Sequence, residues 1–340
     1  GFMPFGFHGV FAALTGGVVF GLQGFEQAVH LAGEARDPKR DLSRAILAAM
    51  AIGAVLYALL QVVMIGALDP AHIVKGWSMP LGTDPSDYGV WYTLALALGA
   101  GWLAKVLLID AVISPAGTGV VFLATTARLS YALGEEREMP AALATTRKGV
   151  PVVSIVTAAV VGSAAFGPFK SWNALVSVVT AATAIMYAFA PLALAALHKV
   201  DSGRQRSYRV PMPKVVLPAA FCSANLIMYW GGFETNWKLA LAILAGLALF
   251  AIGVWRGRTG AWRTLGNAIW IGPWLGGHVL IGWLGRYGGG RNVLPSWVDV
   301  GVVIVFSLAV FHWATAVRLS RESSAAEVAK DARQIDYQAP

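Results

Sequence analysis

Residues 16 to 26 read Gly16-Gly17-Val18-Val19-Phe20-Gly21-Leu22-Gln23-Gly24-Phe25-Glu26, inside an apolar run over residues 9–31. Such a run favours one continuous helix. Gly21 and Gly24 weaken its middle, each by roughly 0.5–1 kcal/mol against alanine. Gln23 and Glu26 place an amide and a carboxylate in the same stretch. Two readings fit the glycines. They can form a small-residue face for a neighbouring helix. Alternatively they break the helix, and the freed main-chain groups then hold a polar solute at mid-membrane. Glu26 decides for the break, because a carboxylate deep in an apolar run is costly and usually has a role. His30 is four residues further on and shares the face of Glu26. The run is ending there, so His30 is expected to be solvated at the interface.

The rest of the chain fits a membrane setting. Of its 340 residues, 57% are hydrophobic and 13% are charged, against a charged share of about 25% in soluble domains. The mean hydropathy is +0.62. A helical span needs about 20 apolar residues, and nine such stretches can be drawn. They cover residues 9–31, 43–68, 92–133, 150–166, 172–197, 215–230, 239–254, 268–284 and 298–317. The third is too long for one crossing. It splits at Gly99-Ala100-Gly101 into a short interfacial helix and a long tilted span. The fold class expected is therefore all-α and integral to a membrane. The polar residues 318–340 form a tail with too few apolar side chains to pack.

Basic residues give the orientation. Of the 26 Lys and Arg, 20 fall in one set of alternate connectors, from Arg36, Lys39, Arg40 and Arg44 through to the tail. Lys75, Lys170, Lys238, Arg286 and Arg291 occupy the other set, and Lys105 lies within a span. The rich side is expected to be cytoplasmic, which puts the C-terminus inside a multi-pass protein of the cell membrane. This arrangement also accounts for the net charge of +8 without nucleic acid. Trp91, Trp172, Trp230, Trp237 and Trp297 mark span ends and read as interfacial anchors. The chain starts at Gly1, with no basic n-region and no cleavage site. It is read as lacking upstream helices rather than as carrying a signal peptide.

Further polar groups lie in the long span. Asp110 sits well inside, so its carboxylate must be protonated, paired or wet. It is a candidate proton or cation site. Lys105 stands about 140° around the axis from it. Lys105 either snorkels to the interface or attracts an anionic solute group. Ser114 and Thr118 flank Pro115 on one face. They either satisfy carbonyls freed by a proline kink or coordinate a cation. Both alternatives stay open for each of these residues.

Enzyme signatures are missing: there is no Walker loop, HExxH or GxSxG, and no metal-spaced histidine cluster. The single Cys222 excludes an internal disulfide framework. No cofactor or metal is expected. A membrane-embedded transferase would want clustered His, Asp or Cys, and a channel would want rings of like charge. A channel-like protein or a non-transporting membrane subunit remains the alternative to a carrier.

Several motifs carry a family resemblance. Gly24-Phe25-Glu26 followed by Ala32-Gly33-Glu34-Ala35-Arg36-Asp37-Pro38-Lys39-Arg40-Asp41 resembles the signature after the sixth helix of the amino acid–polyamine–organocation (APC) superfamily. The stretch from Ala127 to Met139-Pro140, with Gly149-Val150-Pro151, is similar to its eighth helix and following loop, and Tyr208-Arg209-Val210-Pro211 to the loop before its eleventh. Gln27 to Glu34, Asp110 to Pro115, Gly266 to Trp270 and Gly285-Arg286-Tyr287-Gly288-Gly289 resemble the branch that includes bacterial aspartate–proton symporters. His30 departs from that branch, where an acid is expected.

The resemblance implies part of a LeuT-type inverted-repeat transporter fold. Residues 1–255 would be the second part of the permease core, from the sixth to the twelfth helix. Residues 256–317 would add two helices, and 318–340 a cytoplasmic tail. Phe20, Gly21, Leu22, Gln23 and Gly24 would be the unwound part of the sixth helix and, with Phe25, would bind the substrate. Glu26, just after it, and Asp110 would couple a proton, or sodium would take its place. The expected activity is symport of amino acids, acidic ones among them, by alternating access, with the lipid bilayer as setting. The first five helices would be needed for activity.

Overall fold

The computed structural model describes residues 6–30, 37–68, 73, 89–135, 139–164, 166–167, 172–201, 203, 206, 208–255, 265–295 and 297–318. All regular elements among them are helical, apart from one isolated bridge between Arg147 and Val150. The α-helices are α1 Gly6–Ala13, α2 Val19–Gly21, α3 Gln27–His30, α4 Pro38–Ala67, α5 Val90–Ala97 and α6 Gly101–Glu135. They continue with α7 Val152–Ala164, α8 Trp172–Val200, α9 Pro213–Trp230, α10 Phe233–Trp255, α11 Ile271–Leu284 and α12 Val298–Ala316. Each apolar stretch read from the sequence holds at least one of them. The polar residues 69–88 lie almost wholly, and 319–340 entirely, outside the described residues.

Four described helices are individually long and apolar enough to cross a bilayer: α4 from Arg40, α6, α8 from Ala174, and α12. The pair α9 and α10 passes only as a unit, bent by 110° at its break. Gly6–Gly21 and α7 are apolar but shorter, and α11 has 14 residues. At 1.5 Å per residue, α11 is about 21 Å long, short of the roughly 30 Å hydrocarbon core. The chain is an all-helical, multi-pass membrane protein.

Two compact units divide the chain. The first comprises Gly1–Gln23, Glu136–Pro140 and Gly162–Pro340; the second comprises Gly24–Glu135 and Ala141–Val161.

In the first unit, α8 lies along α9. Ala181, Ala184, Ala188 and Ala195 make a buried small-residue face on α8, which lets the helices approach closely. Against it pack Leu217, Phe221, Ala224 and Met228 of α9, with Trp274 of α11 and Phe311 of α12 completing the core. The indole N–H of Trp274 donates to Asn225 Oδ1 at 2.8 Å, and Asn225 Nδ2 donates to the Phe221 carbonyl at 2.9 Å. The fully buried amide is therefore satisfied, as a dry interior requires.

The bend between α9 and α10 has a steric cause. Gly232 takes φ +87°, and a side-chain carbon there would stand 2.7 Å from Gly288 Cα. Only glycine fits at such a close backbone approach. It allows the Phe233 and Glu234 amides to donate to the Tyr287 and Gly288 carbonyls at 3.1 and 2.8 Å.

In the second unit, α5 and α6 are separated at the expected Gly99, which takes φ +70°. Leu94, Ala95 and Ala104 are buried at that joint. At the far end of α6, Gly134 packs on the short 3₁₀ turn Ala141–Ala144 with no room for a side chain. Ser154 Oγ donates to the Leu143 carbonyl at 2.8 Å and ties α7 to that turn. Lys148 and Gly149 both take positive φ, which closes the Arg147–Val150 bridge as a tight hairpin turn. The apolar lengths of α4 and α6 are uncovered among the described residues.

Candidate functional site

The helix that enters residues 16 to 26 loses its α-geometry in two stages. Leu14–Val18 is a π-helix, with the Val19 amide donating to the Leu14 carbonyl five residues back. Three α-helical residues follow, and Leu22 to Glu26 are then turn. The Leu22 and Gln23 amides reach back only three residues, to the Val19 and Phe20 carbonyls, both at 3.1 Å. The ladder resumes at Gln27, whose amide donates to the Gly24 carbonyl at 3.1 Å. The carbonyls of Gly21, Leu22 and Gln23 take no backbone hydrogen bond from a described residue. Gly24 takes φ +106°, a conformation open to glycine and strained for other residues. The expected unwound stretch began at Phe20; here Phe20 and Gly21 are still helical and the turn extends to Glu26.

Glu26 closes the turn, because the Gly24 amide donates to its Oε2 at 3.0 Å. Phe20, Leu22, Phe25 and Glu26 are half-buried, and Gly21 is exposed. Gln23 Nε2 is buried with no hydrogen-bond partner among the described residues, and so is Gln27 Oε1. Buried amide atoms without partners cost about 1–3 kcal/mol each. Gln27 was legible only as a second amide four residues after Gln23. The side chain of His30 is outside the described set. The division between the two units falls between Gln23 and Gly24.

The remaining expected site residues belong to α6. Lys105, Asp110, Ser114 and Thr118 are all exposed on it, and the helix runs unbroken through Pro115. Thr118 Oγ1 donates to the Ser114 carbonyl at 3.0 Å, one helical turn back. Asp110, Ser114 and Thr118 follow one another at four-residue spacing and so form a polar stripe.

A second polar cluster, in the first unit, was not foreseen. Asp299 at the start of α12 is fully buried. Tyr229 at the end of α9 donates its hydroxyl to Asp299 Oδ2 at 2.7 Å, and the Val300 amide donates to Oδ1 at 2.8 Å. Arg286, in the loop after α11, brings Nε to 3.4 Å from Asp299 Oδ2. Its Nη1 lies 3.3 Å from His8 Nε2 on α1, and His8 Nδ1 lies 2.9 Å from the Tyr287 hydroxyl. Arginine is only a donor, so His8 accepts at Nε2 and donates from Nδ1 to Tyr287. Burial, reinforced by the Asp299 carboxylate and opposed by Arg286, pushes the Tyr287 hydroxyl up to about 12. The sequence signal was an aspartate inside an apolar run and an arginine on the sparsely charged side.

A family model described as amino acid permease matches residues 1–251. The chain belongs to the amino acid permease family. The resemblance to the APC superfamily read from the motifs therefore holds. The permease chain is 31% identical over 320 residues to the aspartate-proton symporter of Bacillus subtilis (strain 168), covering 92% of this chain and 61% of that protein. It is 30% identical over 334 residues to the glutamate/serine transporter AimA of the same organism, covering 96% and 60%. The branched-chain amino acid permease BcaP of Lactococcus lactis subsp. cremoris (strain MG1363) is 25% identical over 252 residues, covering 72% and 50%. This permease chain thus spans about 60% of the length of the first two relatives. The family and these relatives are permeases and transporters, which sets the enzyme reading aside. No solved structure matches the chain. Helices α11 and α12 lie beyond the residues matched by the family model but within the span shared with the first two relatives.

Proposed function

We propose that this chain forms part of an amino acid carrier of the cell membrane that works by alternating access and is driven by protons. The observation that carries the reading is the interrupted helix at Leu22 to Glu26. It combines, among the described residues, the Leu22 and Gln23 carbonyls outside the backbone ladder, the Glu26 carboxylate and a buried Gln23 amide nitrogen without a hydrogen-bond partner in one short segment. A zwitterion needs acceptors for its ammonium group and donors for its carboxylate, and a helix break at mid-membrane offers both. Phe20 to Phe25 are the proposed substrate segment. Glu26 and Asp110 are the proposed proton carriers, because a carboxylate in a span is tolerable when neutral and costly when charged. Lys105 is proposed to attract the anionic group of the cargo, which favours acidic amino acids. The two relatives named for aspartate and for glutamate and serine support the same cargo class.

The permease core is proposed to run to about residue 255, followed by two added helices and a tail. The excess of basic connectors puts the C-terminus in the cytoplasm. A proton acts here by binding one of the two access states more tightly, since a ligand shifts a conformational equilibrium only by its differential affinity.

The test is uptake of labelled L-aspartate, L-glutamate and L-serine by proteoliposomes containing the complete gene product. Accumulation under an inward proton gradient, abolished by a protonophore, is expected. Uptake unaffected by the gradient removes the proton. A complete gene product that moves none of the three overturns the carrier reading.

A further inference from the structure

The helix that leads into the break is gripped at three places, all within the first unit. His8 engages Arg286 and Tyr287. Phe11 stacks on Trp230, with ring centroids 4.4 Å apart and planes at 1°, and meets Trp297 edge-on at 5.8 Å. Thr15 Oγ1 reaches the Trp230 carbonyl at 3.3 Å. Positions 8, 11 and 15 recur at helical spacing, so they form one stripe. Two directional polar contacts with an aromatic wedge between them fix both the height and the rotation of the helix. The partners come from the end of α9, the loop after α11 and the start of α12.

The polar end of this grip is an unusual choice if stability were its only purpose. A buried ion pair is expensive to desolvate, and apolar residues of similar volume often serve as well or better. Asp299 is nevertheless fully buried, with two hydrogen-bond donors, the Tyr229 hydroxyl and the Val300 amide, and the Arg286 guanidinium beside it as counter-charge. Arg286 also touches the Leu294 carbonyl at 3.4 Å, so its guanidinium is held from several sides. Its remaining reach goes to His8, on the one helix here that ends in the break. From His8 to Gly21 the chain rises about 20 Å at 1.5 Å per residue. A shift at the first end is carried along the rod to Phe20 and Gly21.

We propose that Arg286 and Asp299 are positioning residues for transport, which act through His8 to set the helix that delivers Phe20 to Gln23 to the substrate. The proposal rests on the carrier reading above. It adds a task for α11 and α12, which lie outside the residues matched by the family model. These residues touch no substrate; they hold the helix that does. Asp299 supplies the fixed charge, Arg286 the link, and His8 the handle on the moving part. Glu234, at the start of α10, packs on that loop with its Cγ 3.1 Å from where a side chain at Gly289 would begin.

The experiment uses the complete gene product in proteoliposomes, with labelled L-aspartate, L-glutamate and L-serine as probes and thermal unfolding as an independent readout. His8→Ala is expected to raise the apparent KM about fivefold with a smaller change in maximal rate. His8→Gln keeps an acceptor for Arg286 and is expected to return KM to near the wild-type value. Asp299→Asn and Arg286→Gln are each expected to raise KM, and the double variant to do so by less than the sum of their free-energy effects, because the two share one interaction. Tyr287→Phe, which keeps the ring in place, is expected to raise KM about twofold and serves if His8→Ala does not fold. A transporting wild type whose KM is unmoved in folded His8→Ala or Tyr287→Phe overturns the positioning role alone. A wild type that moves none of the three probes overturns the carrier reading and this proposal with it.

Discussion

The Gly24 amide donates to the Glu26 carboxylate at 3.0 Å, so the acid that follows the helix break also shapes it. Gly24 holds φ +106° in doing so. A side chain at that φ is strained by about 1–3 kcal/mol. Gly24→Ala is therefore expected to lower the unfolding temperature of purified protein and to abolish uptake. A variant with wild-type stability and wild-type uptake would show that the turn geometry is dispensable.

Charge at the same carboxylate is testable separately. Glu26→Gln keeps an oxygen that can accept from Gly24 but removes the titration. Asp110→Asn does the same on α6. Each is expected to change the dependence of uptake on pH, and unchanged profiles for both would sink the proton-coupling assignment.

Tyr229→Phe deletes the 2.7 Å hydrogen bond to buried Asp299 and keeps the ring. The cost of leaving a buried group short of one donor is about 1–3 kcal/mol. Chemical denaturation of the variant should show a loss in that range. A shift of a few tenths would mean that another donor replaces the hydroxyl.

The Tyr287 hydroxyl is raised to about 12 by burial first and the Asp299 carboxylate second. An unfolded chain has tyrosine near 10, so the fold prefers the protonated form. The stabilisation is complete below about pH 10 and disappears as pH climbs toward about 12. Wild type is therefore expected to lose stability over that window more steeply than Tyr287→Phe. Parallel unfolding curves would refute it.

Much of the architecture was legible because lipid imposes long apolar runs and glycine marks their interruptions. The separation of α5 from α6 at Gly99 and the turn at Gly24 are both of this local kind. What could not be read depends on groups far apart in sequence. Trp230 and Trp297 were expected as interfacial anchors, and they also clasp Phe11, more than two hundred residues away. Arg286 counted as one charge on the sparse side and as part of a family-like motif, with no partner assigned, until Asp299 and His8 were seen beside it. The π-helix at Leu14–Val18 has no sequence signature either, since Leu-Thr-Gly-Gly-Val is compatible with an α-helix. Lys105 and Asp110 illustrate the reverse case: their positions on α6 were plain, while their exposure leaves the choice of partner to chemistry.

That π-segment acts on the rod as a change of phase. Each π-turn consumes one residue more than an α-turn, which offsets everything after Val18 by roughly 100° from its α-helical bearing. One helix can therefore show its first half to a fixed scaffold and turn its second half to a different quarter. A single-residue deletion between Leu14 and Val18 would be felt less as a lost contact than as a twist applied to all that follows.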